Sequence, residues 1–268
     1  MKQPKYRLLA LDLDGTILDE NRQVTPGNIS AIKKACKRGV RVIIATGRMY
    51  VSALPFVEKF ELEGPVITYN GALVKDSRED KILVHRPIDI QLAHRVITDT
   101  QKRGLHLNVY IDDQLYVKED NRFSRGYEEY TGVEAKAVGP LLDFVDRPPT
   151  KMLLIEEDRK IFLDLLSFYQ EKFAGRLNVM ESKEHYLEFC VPEANKGKAL
   201  EYTASRLNIP RSQVLAAGDS GNDLAMIKWA KTGVAVETAA SEIKKEADNI
   251  APPPQEDGIA YIVNELVL

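Results

Sequence analysis

The stretch RLLALDL, residues 7 to 13, is apolar apart from Arg7 and Asp12, and the chain continues directly into Asp14, Gly15 and Thr16. A run this short and this apolar reads as a strand buried on both faces, the kind found in parallel sheets covered by helices. Its end is unusual, because two carboxylates one residue apart occupy the tip. Beyond this tip the chain settles into a rhythm. Thr25 and Pro26 supply a helix cap and a first helical residue, and Ile29, Ile32 and Cys36 mark one helical face before Gly39 stops it. VRVIIATGR, a second helix to about Phe60 and then PVITYNGALV extend the series as strand, helix and strand. Such βαβ series build parallel sheets with helices on both faces.

The rhythm changes after about residue 84. IQLAHRVITDTQKRG is helix-like, and LHLNVYIDDQLYVKE reads as two strands joined through Asp112-Asp113. RFSRGYEEYTG is a further helix, PPTKMLLIEED a strand and KIFLDLLSFYQEKF a helix, before two strands in RLNVMES and YLEFCVP. Hairpins mixed with helices indicate an α+β unit with an antiparallel sheet. From Asn195 the first rhythm resumes with NKGKALEYTASRLN, QVLAAGDSGND and GVAV, and ASEIKKEAD and EDGIAYIVNELV close the chain as helices. The economical organisation is one α/β domain, residues 1–84 and 189–268, interrupted by an inserted module at residues 85–188.

The totals remove several function classes. Lys plus Arg number 37 against 40 Asp plus Glu, a net charge of −3, so no electrostatic case exists for nucleic acid or an anionic membrane. The start, MKQPKYRLLALDLDG, is a short apolar run broken by aspartates, and reads as neither a signal peptide nor a spanning helix. Cys36 and Cys190 lie far apart in apolar patterns, as core thiols of a cytoplasmic protein do.

In an open parallel sheet, ligands bind at the carboxyl ends of the strands. Those ends carry Asp12-x-Asp14-Gly-Thr, Thr46-Gly47-Arg48, Asn70-Gly71 and Gly218-Asp219-Ser220-Gly221-Asn222-Asp223. Each alone looks like any turn. All four on one edge point to a site. Asp12, Asp14, Asp219 and Asp223 gather more negative charge than can coexist without a cation, and an oxygen-only donor set suits Mg²⁺. Lys196 opens a helix after Asn195 and offers a positive charge. Thr46 offers a hydroxyl, and Gly15, Gly47 and Gly71 let backbone N–H groups approach an anion. These are the parts needed to hold a phosphoryl group, with one acid to attack phosphorus and the other to handle the leaving group's proton.

Taken together, Asp12-Leu13-Asp14-Gly15-Thr16, Thr46-Gly47-Arg48, Lys196-Gly197 and Gly218-Asp219-Ser220-Gly221-Asn222-Asp223 resemble the four motifs of the haloacid dehalogenase superfamily in order and spacing. Tyr69-Asn70-Gly71-Ala72, the long insertion and Glu256-Asp257-Gly258 are similar to the Cof-type, sugar-phosphatase-like branch. The resemblance implies a Rossmann-like parallel core with an inserted α/β cap. It implies Asp12 as nucleophile and Mg²⁺ ligand, and Asp14 as general acid and base with its carbonyl on the metal, protonated at rest through crowding by anions. It further implies Thr46 and Lys196 on the phosphoryl group, Asp219 on Mg²⁺, Asp223 and Asn222 supporting that shell, and Asn70 and Gly71 beside the phosphate. Two positions depart from the pattern: Glu237-Thr238 stand where Gly-Asn is usual, and Pro254 stands where an Asn is usual.

Blander readings remain for other residues. Arg48 is equally a phosphate contact or a surface arginine at a helix start. His85, His94, His106 and His185 show no ligand spacing. Residues 120–130, with Arg122, Phe123, Arg125, Tyr127 and Tyr130, read first as an amphipathic helix packing aromatics on the sheet, and second as a pocket lining. The expected protein is a Mg²⁺-dependent phosphatase of small phosphorylated metabolites, cytoplasmic, a monomer or small homo-oligomer. A phosphomutase on the same scaffold and a non-catalytic sugar-phosphate sensor are its rivals; the acid pair argues against the sensor.

Overall fold

The structure, a computed structural model, describes residues 4–268. They divide into two compact units, one formed by residues up to 84 with 195–268 and the other by residues 85–194. In chain order the first unit begins with β1 (Leu8–Leu11), α1 (Pro26–Lys37), β2 (Arg41–Ile44), α2 (Tyr50–Lys59), β3 (Pro65–Thr68), β4 (Leu73–Asp76) and β5 (Lys81–His85). The second unit contains α3 (Ile90–Lys102), β6 (His106–Ile111), β7 (Gln114–Val117), α4 (Arg122–Thr131), β8 (Ala135–Ala137), α5 (Leu141–Phe144), β9 (Lys151–Ile155), α6 (Arg159–Lys172), β10 (Asn178–Lys183) and β11 (Tyr186–Cys190). The first unit resumes with α7 (Lys196–Arg206), β12 (Val214–Gly218), α8 (Leu224–Trp229), β13 (Thr232–Val236), α9 (Ser241–Glu246), β14 (Asn249–Ala251) and α10 (Gly258–Tyr261).

The first unit is built on a parallel sheet of order β14-β13-β12-β1-β2. β1 sits between β12 and β2, with Leu8 opposite Val214 and Arg41. All four of its residues are fully buried, which explains the uninterrupted apolar run. Leu8, Ala10, Ile43 and Ala216 pack with Ala199, Leu200 and Met226 in one cluster. α1 begins where the sequence signals: the Thr25 side chain accepts from the Asn28 N–H at 3.1 Å, and Pro26 fills the first turn.

The segment PVITYNGALV, which the sequence presents as one strand, is a hairpin. β3 joins the parallel sheet only through a bridge between Ala45 and Ile67, then pairs antiparallel with β4 across Tyr69–Gly71. Asn70 and Gly71 take φ of 56° and 94°, a left-handed bend those two residue types adopt at low cost. The final helix is also shorter than its sequence suggests. α10 ends at Tyr261, and Ile262–Val267 continues as a wider π-type helix.

In the second unit the sheet order is β10-β11-β9-β6-β7-β8, antiparallel except for the β7–β8 pair. Composition and periodicity end the insert at residue 188, inside β11. β11 pairs with both β9 and β10, so the insert keeps the whole strand and runs to Ala194. Asp112 and Asp113 take φ of 51° and 57° and close the β6–β7 hairpin. α4 carries a capping box between Asn121 and Ser124 and ends at left-handed Gly132. Its Tyr127 packs on Tyr110 and Tyr186 at ring distances of 6.4 and 5.5 Å, the packing role read first for this helix. No helix among the described residues is long and apolar enough to cross a membrane.

Because Leu8 is fully buried in a close-packed cluster, Leu8→Ala should cost about 2–5 kcal/mol of stability, from lost transfer energy and the cavity left behind. Urea unfolding of the two proteins measures it, and a loss under about 1 kcal/mol would mean that this part of the core relaxes freely.

Candidate active site

Each polar tip leaves its strand at the carboxyl edge, and hydrogen bonds then join the tips to one another. β1 leads into Asp12, whose N–H donates to the Ala217 carbonyl at 3.0 Å. The chain next folds into a tight turn in which the Leu13 carbonyl accepts from Ile17 and Leu18. Thr16 donates to Asp219 Oδ1 at 3.3 Å, joining the first tip to the fourth. Arg48 forks onto Asp14, with Nε at 2.7 Å from Oδ2 and Nη2 at 2.5 Å from Oδ1, joining the first tip to the second. The Asn70 N–H donates to the Thr46 carbonyl at 3.1 Å, and the Asn222 amide donates to Asn70 Oδ1 at 2.9 Å, joining the third tip to the second and fourth.

Lys196 lies at the centre. Asn195 caps α7 by accepting from the Lys198 N–H at 3.0 Å, so the lysine is the first helical residue. Its ammonium donates to Asp12 Oδ1 and Asp223 Oδ1, each at 2.6 Å. Asp223 uses its other oxygen to accept from the N–H groups of Asp219 and Ser220, each at 3.1 Å, and from the Ser220 hydroxyl at 3.2 Å. Sequence reasoning does not single out Ser220 or Thr16, although both stand inside the quoted motifs.

Carboxylate oxygens of Asp12, Asp219 and Asp223 lie within 4.8 Å of one another, a set able to hold a metal ion. Three carboxylates face one ammonium, so the cluster carries excess negative charge. Burial, then the charge of Asp223, pushes the Asp12 carboxyl well above the usual carboxylate range despite Lys196. The same two causes raise Asp219 to about 6. Burial alone would depress the Lys196 ammonium, but Asp12 and Asp223 outweigh it and hold it above the ordinary lysine value. The residues therefore fit a hard divalent cation: the donors are all oxygen and the deficit is positive charge. None of the four histidines joins this set.

The two acids of the first tip have different surroundings. The Asp12 side chain is 6 % exposed and inside the cluster, whereas that of Asp14 is 41 % exposed and outside it. The expectation from sequence surrounds Asp14 with anions. The structure also sets the Arg48 guanidinium against it.

Thr46, Asn70 and Gly71 are buried, and Gly47 is partly buried. A β-carbon on Gly47 would stand 2.8 Å from Asn70 Oδ1, and one on Gly71 would stand 2.6 Å from the Asn195 carbonyl oxygen. These contacts explain why bare backbone is required there. Glu237 is exposed at the end of β13, with its N–H on the Ala251 carbonyl and its own carbonyl accepting from Lys244. Pro254 is buried, and its carbonyl accepts from Asn28 Nδ2 at 2.8 Å.

A family profile described as haloacid dehalogenase-like hydrolase matches residues 9–263. The chain belongs to that family. It is an enzyme of hydrolase type, as the motifs lead one to expect, on a Rossmann-like parallel core with an α/β insert. The chain is 31 % identical over 264 residues to a 5-amino-6-(5-phospho-D-ribitylamino)uracil phosphatase of Bacillus subtilis, covering 98 % of this chain and 96 % of the relative. It is 29 % identical over 291 residues to the Bacillus subtilis phosphatase YwpJ, covering 97 % of this chain and all of the relative (100 %). The crystal structure of a haloacid dehalogenase-like hydrolase from Bacteroides thetaiotaomicron superposes with a TM-score of 0.91 over 98 % of this chain and 100 % of that one; at 24 % identity, that likeness speaks for the fold.

The raised Asp219 carboxyl sets a direction for pH. A carboxyl whose folded pKa lies above its unfolded value stabilises the cation-free fold at low pH, and that contribution is lost as pH rises through about 6. A divalent cation should restore it where the carboxylates are ionised. The rise in Tm on adding a divalent cation should accordingly be larger at about pH 7.5 than at about pH 5. Differential scanning fluorimetry checks this, and an equal rise at both pH values would detach Asp219 from cation binding.

Proposed function

We propose that this enzyme is a Mg²⁺-dependent phosphatase that hydrolyses small phosphorylated metabolites, sugar phosphates or similar, through an aspartyl-phosphate on Asp12. The observation that carries the reading is the separation of the two acids, one buried against Lys196 in the carboxylate cluster and one outside it beside Arg48. The first environment suits a nucleophile held next to a cation, and the second suits a group exchanging protons with leaving group and water. The phosphatase names of the two Bacillus subtilis relatives support the reaction class.

In the first step an Asp12 oxygen attacks phosphorus in line, and the bond to the leaving oxygen breaks as Asp14 gives that oxygen a proton. In the second, Asp14 takes a proton from water as the water attacks the phosphorus, releasing phosphate and restoring Asp12. Thr46, Gly47, Asn70, Gly71 and Lys196 would bind the phosphoryl oxygens, with Asn222 holding Asn70 in place. Asp12, Asp219 and the Asp14 carbonyl would hold Mg²⁺, with Asp223 supporting them, and the ion would supply charge neutralisation and orientation. The unit of residues 85–194 would serve as the cap that excludes water and contacts the leaving group. The ribityl phosphate in the name of one relative supports a polyhydroxylated leaving group.

Phosphate release from p-nitrophenyl phosphate and from a panel of phosphorylated metabolites should require a divalent cation. Asp12→Asn should lose at least about 10³-fold in kcat, because an amide is a poor nucleophile and metal ligand. Substantial activity in EDTA, or an active Asp12→Asn protein, would remove the mechanism.

A further inference from the structure

We propose that Arg48 is a positioning residue for the Asp14 carboxylate, acting on the leaving-group half of the reaction and not on phosphate binding. This rests on the phosphatase reading above. Two donors of one guanidinium, Nε and Nη2, meet both oxygens of Asp14 at 2.7 and 2.5 Å. A planar fork of this kind sets the orientation of a carboxylate as well as its place.

Arg48 is itself held from three sides. Its guanidinium lies 5.1 Å from the centre of the Phe56 ring, its N–H donates to Thr46 Oγ1 at 3.1 Å, and its carbonyl accepts from the Tyr69 N–H at 2.9 Å. Its side chain is 14 % exposed against 41 % for Asp14. The arginine is therefore the fixed partner and the aspartate the guided one. An exposed ion pair contributes little because two mobile side chains must be ordered to form it. Here one partner is already ordered by packing, so the fork restricts Asp14 at small further cost. Two of its side-chain donors are thereby committed to Asp14.

The consequence is selective. An alkoxide leaving group needs a well-placed proton donor, whereas nitrophenolate departs without one. Steady-state kinetics on an alkyl phosphate and on p-nitrophenyl phosphate, with Mg²⁺, test this in the wild type, Arg48→Gln, Arg48→Lys, Asp14→Asn and the Arg48→Gln/Asp14→Asn double variant. Both Arg48 variants should lose about 10²-fold in kcat on the alkyl phosphate and under about tenfold on the aryl one, with KM changed by less than about threefold. In the Asp14→Asn background, Arg48→Gln should add less than about threefold. The Mg²⁺-induced rise in Tm should match that of the wild type, showing an intact cluster.

Equal losses on both substrates, a raised KM with kcat retained, or a full independent loss in the Asp14→Asn background would overturn the proposal. Full rescue by Arg48→Lys would also overturn it, since lysine keeps the charge but not the fork. If Asp14→Asn itself harms both substrates equally, the role given to Asp14 falls and this inference with it. If Asp14→Asn is selective but the Arg48 variants are not, only the inference falls.

Discussion

The contact on which the remainder of the site depends is the Lys196 ammonium between Asp12 and Asp223, with all three side chains almost wholly removed from water. Removing one partner of such a buried pair typically costs about 3–5 kcal/mol, because the other charge is left without compensation. The arrangement is a poor choice for stability alone, since apolar residues of similar volume commonly do as well or better. What it achieves is a carboxylate, Asp12, held at fixed distance from a positive charge. Packing places that charge: a β-carbon on Gly197 would stand 2.5 Å from the Ala225 carbonyl oxygen, so the start of α7 approaches α8 as closely as backbone allows.

Much of the sheet is legible in the sequence because burial leaves a blunt mark on it. β1, β12 and, after Arg41, β2 are continuous apolar runs, and Thr25-Pro26 and Asn195 announce their helices. The return strand after Tyr69–Gly71 is missed because β4 has only four residues, too few to show a period of its own. β14 escapes notice because three residues are too few to show a period. The insert boundary slips because β11 is apolar on both sides of residue 188, which gives composition nothing to register.

The gathering of the four tips is legible because glycine, threonine and aspartate at strand ends are chemically distinct from the strands themselves. Pairing between tips is not, since a side chain's direction depends on the fold around it. Arg48 illustrates this. Its position at the start of a helix is equally compatible with solvent, with phosphate and with Asp14, and the fork onto Asp14 becomes visible only when β1 and β2 are set side by side. Glu237 is the converse case. Its sequence position at the same sheet edge draws notice, and its exposure shows a residue engaged there through its backbone.

The seam at Asn195 has a further consequence. The chain re-enters the first unit at this residue, whose side chain caps α7 and whose carbonyl oxygen leaves no room for a side chain on Gly71. The last residue before the lysine is thus anchored at both its side chain and its backbone. The position of the ammonium is therefore set by contacts inside the first unit, made by the very residue at which the chain returns to it. The chain has, in effect, a clamp at its point of return, one residue ahead of the group that it must hold to within a fraction of an ångström.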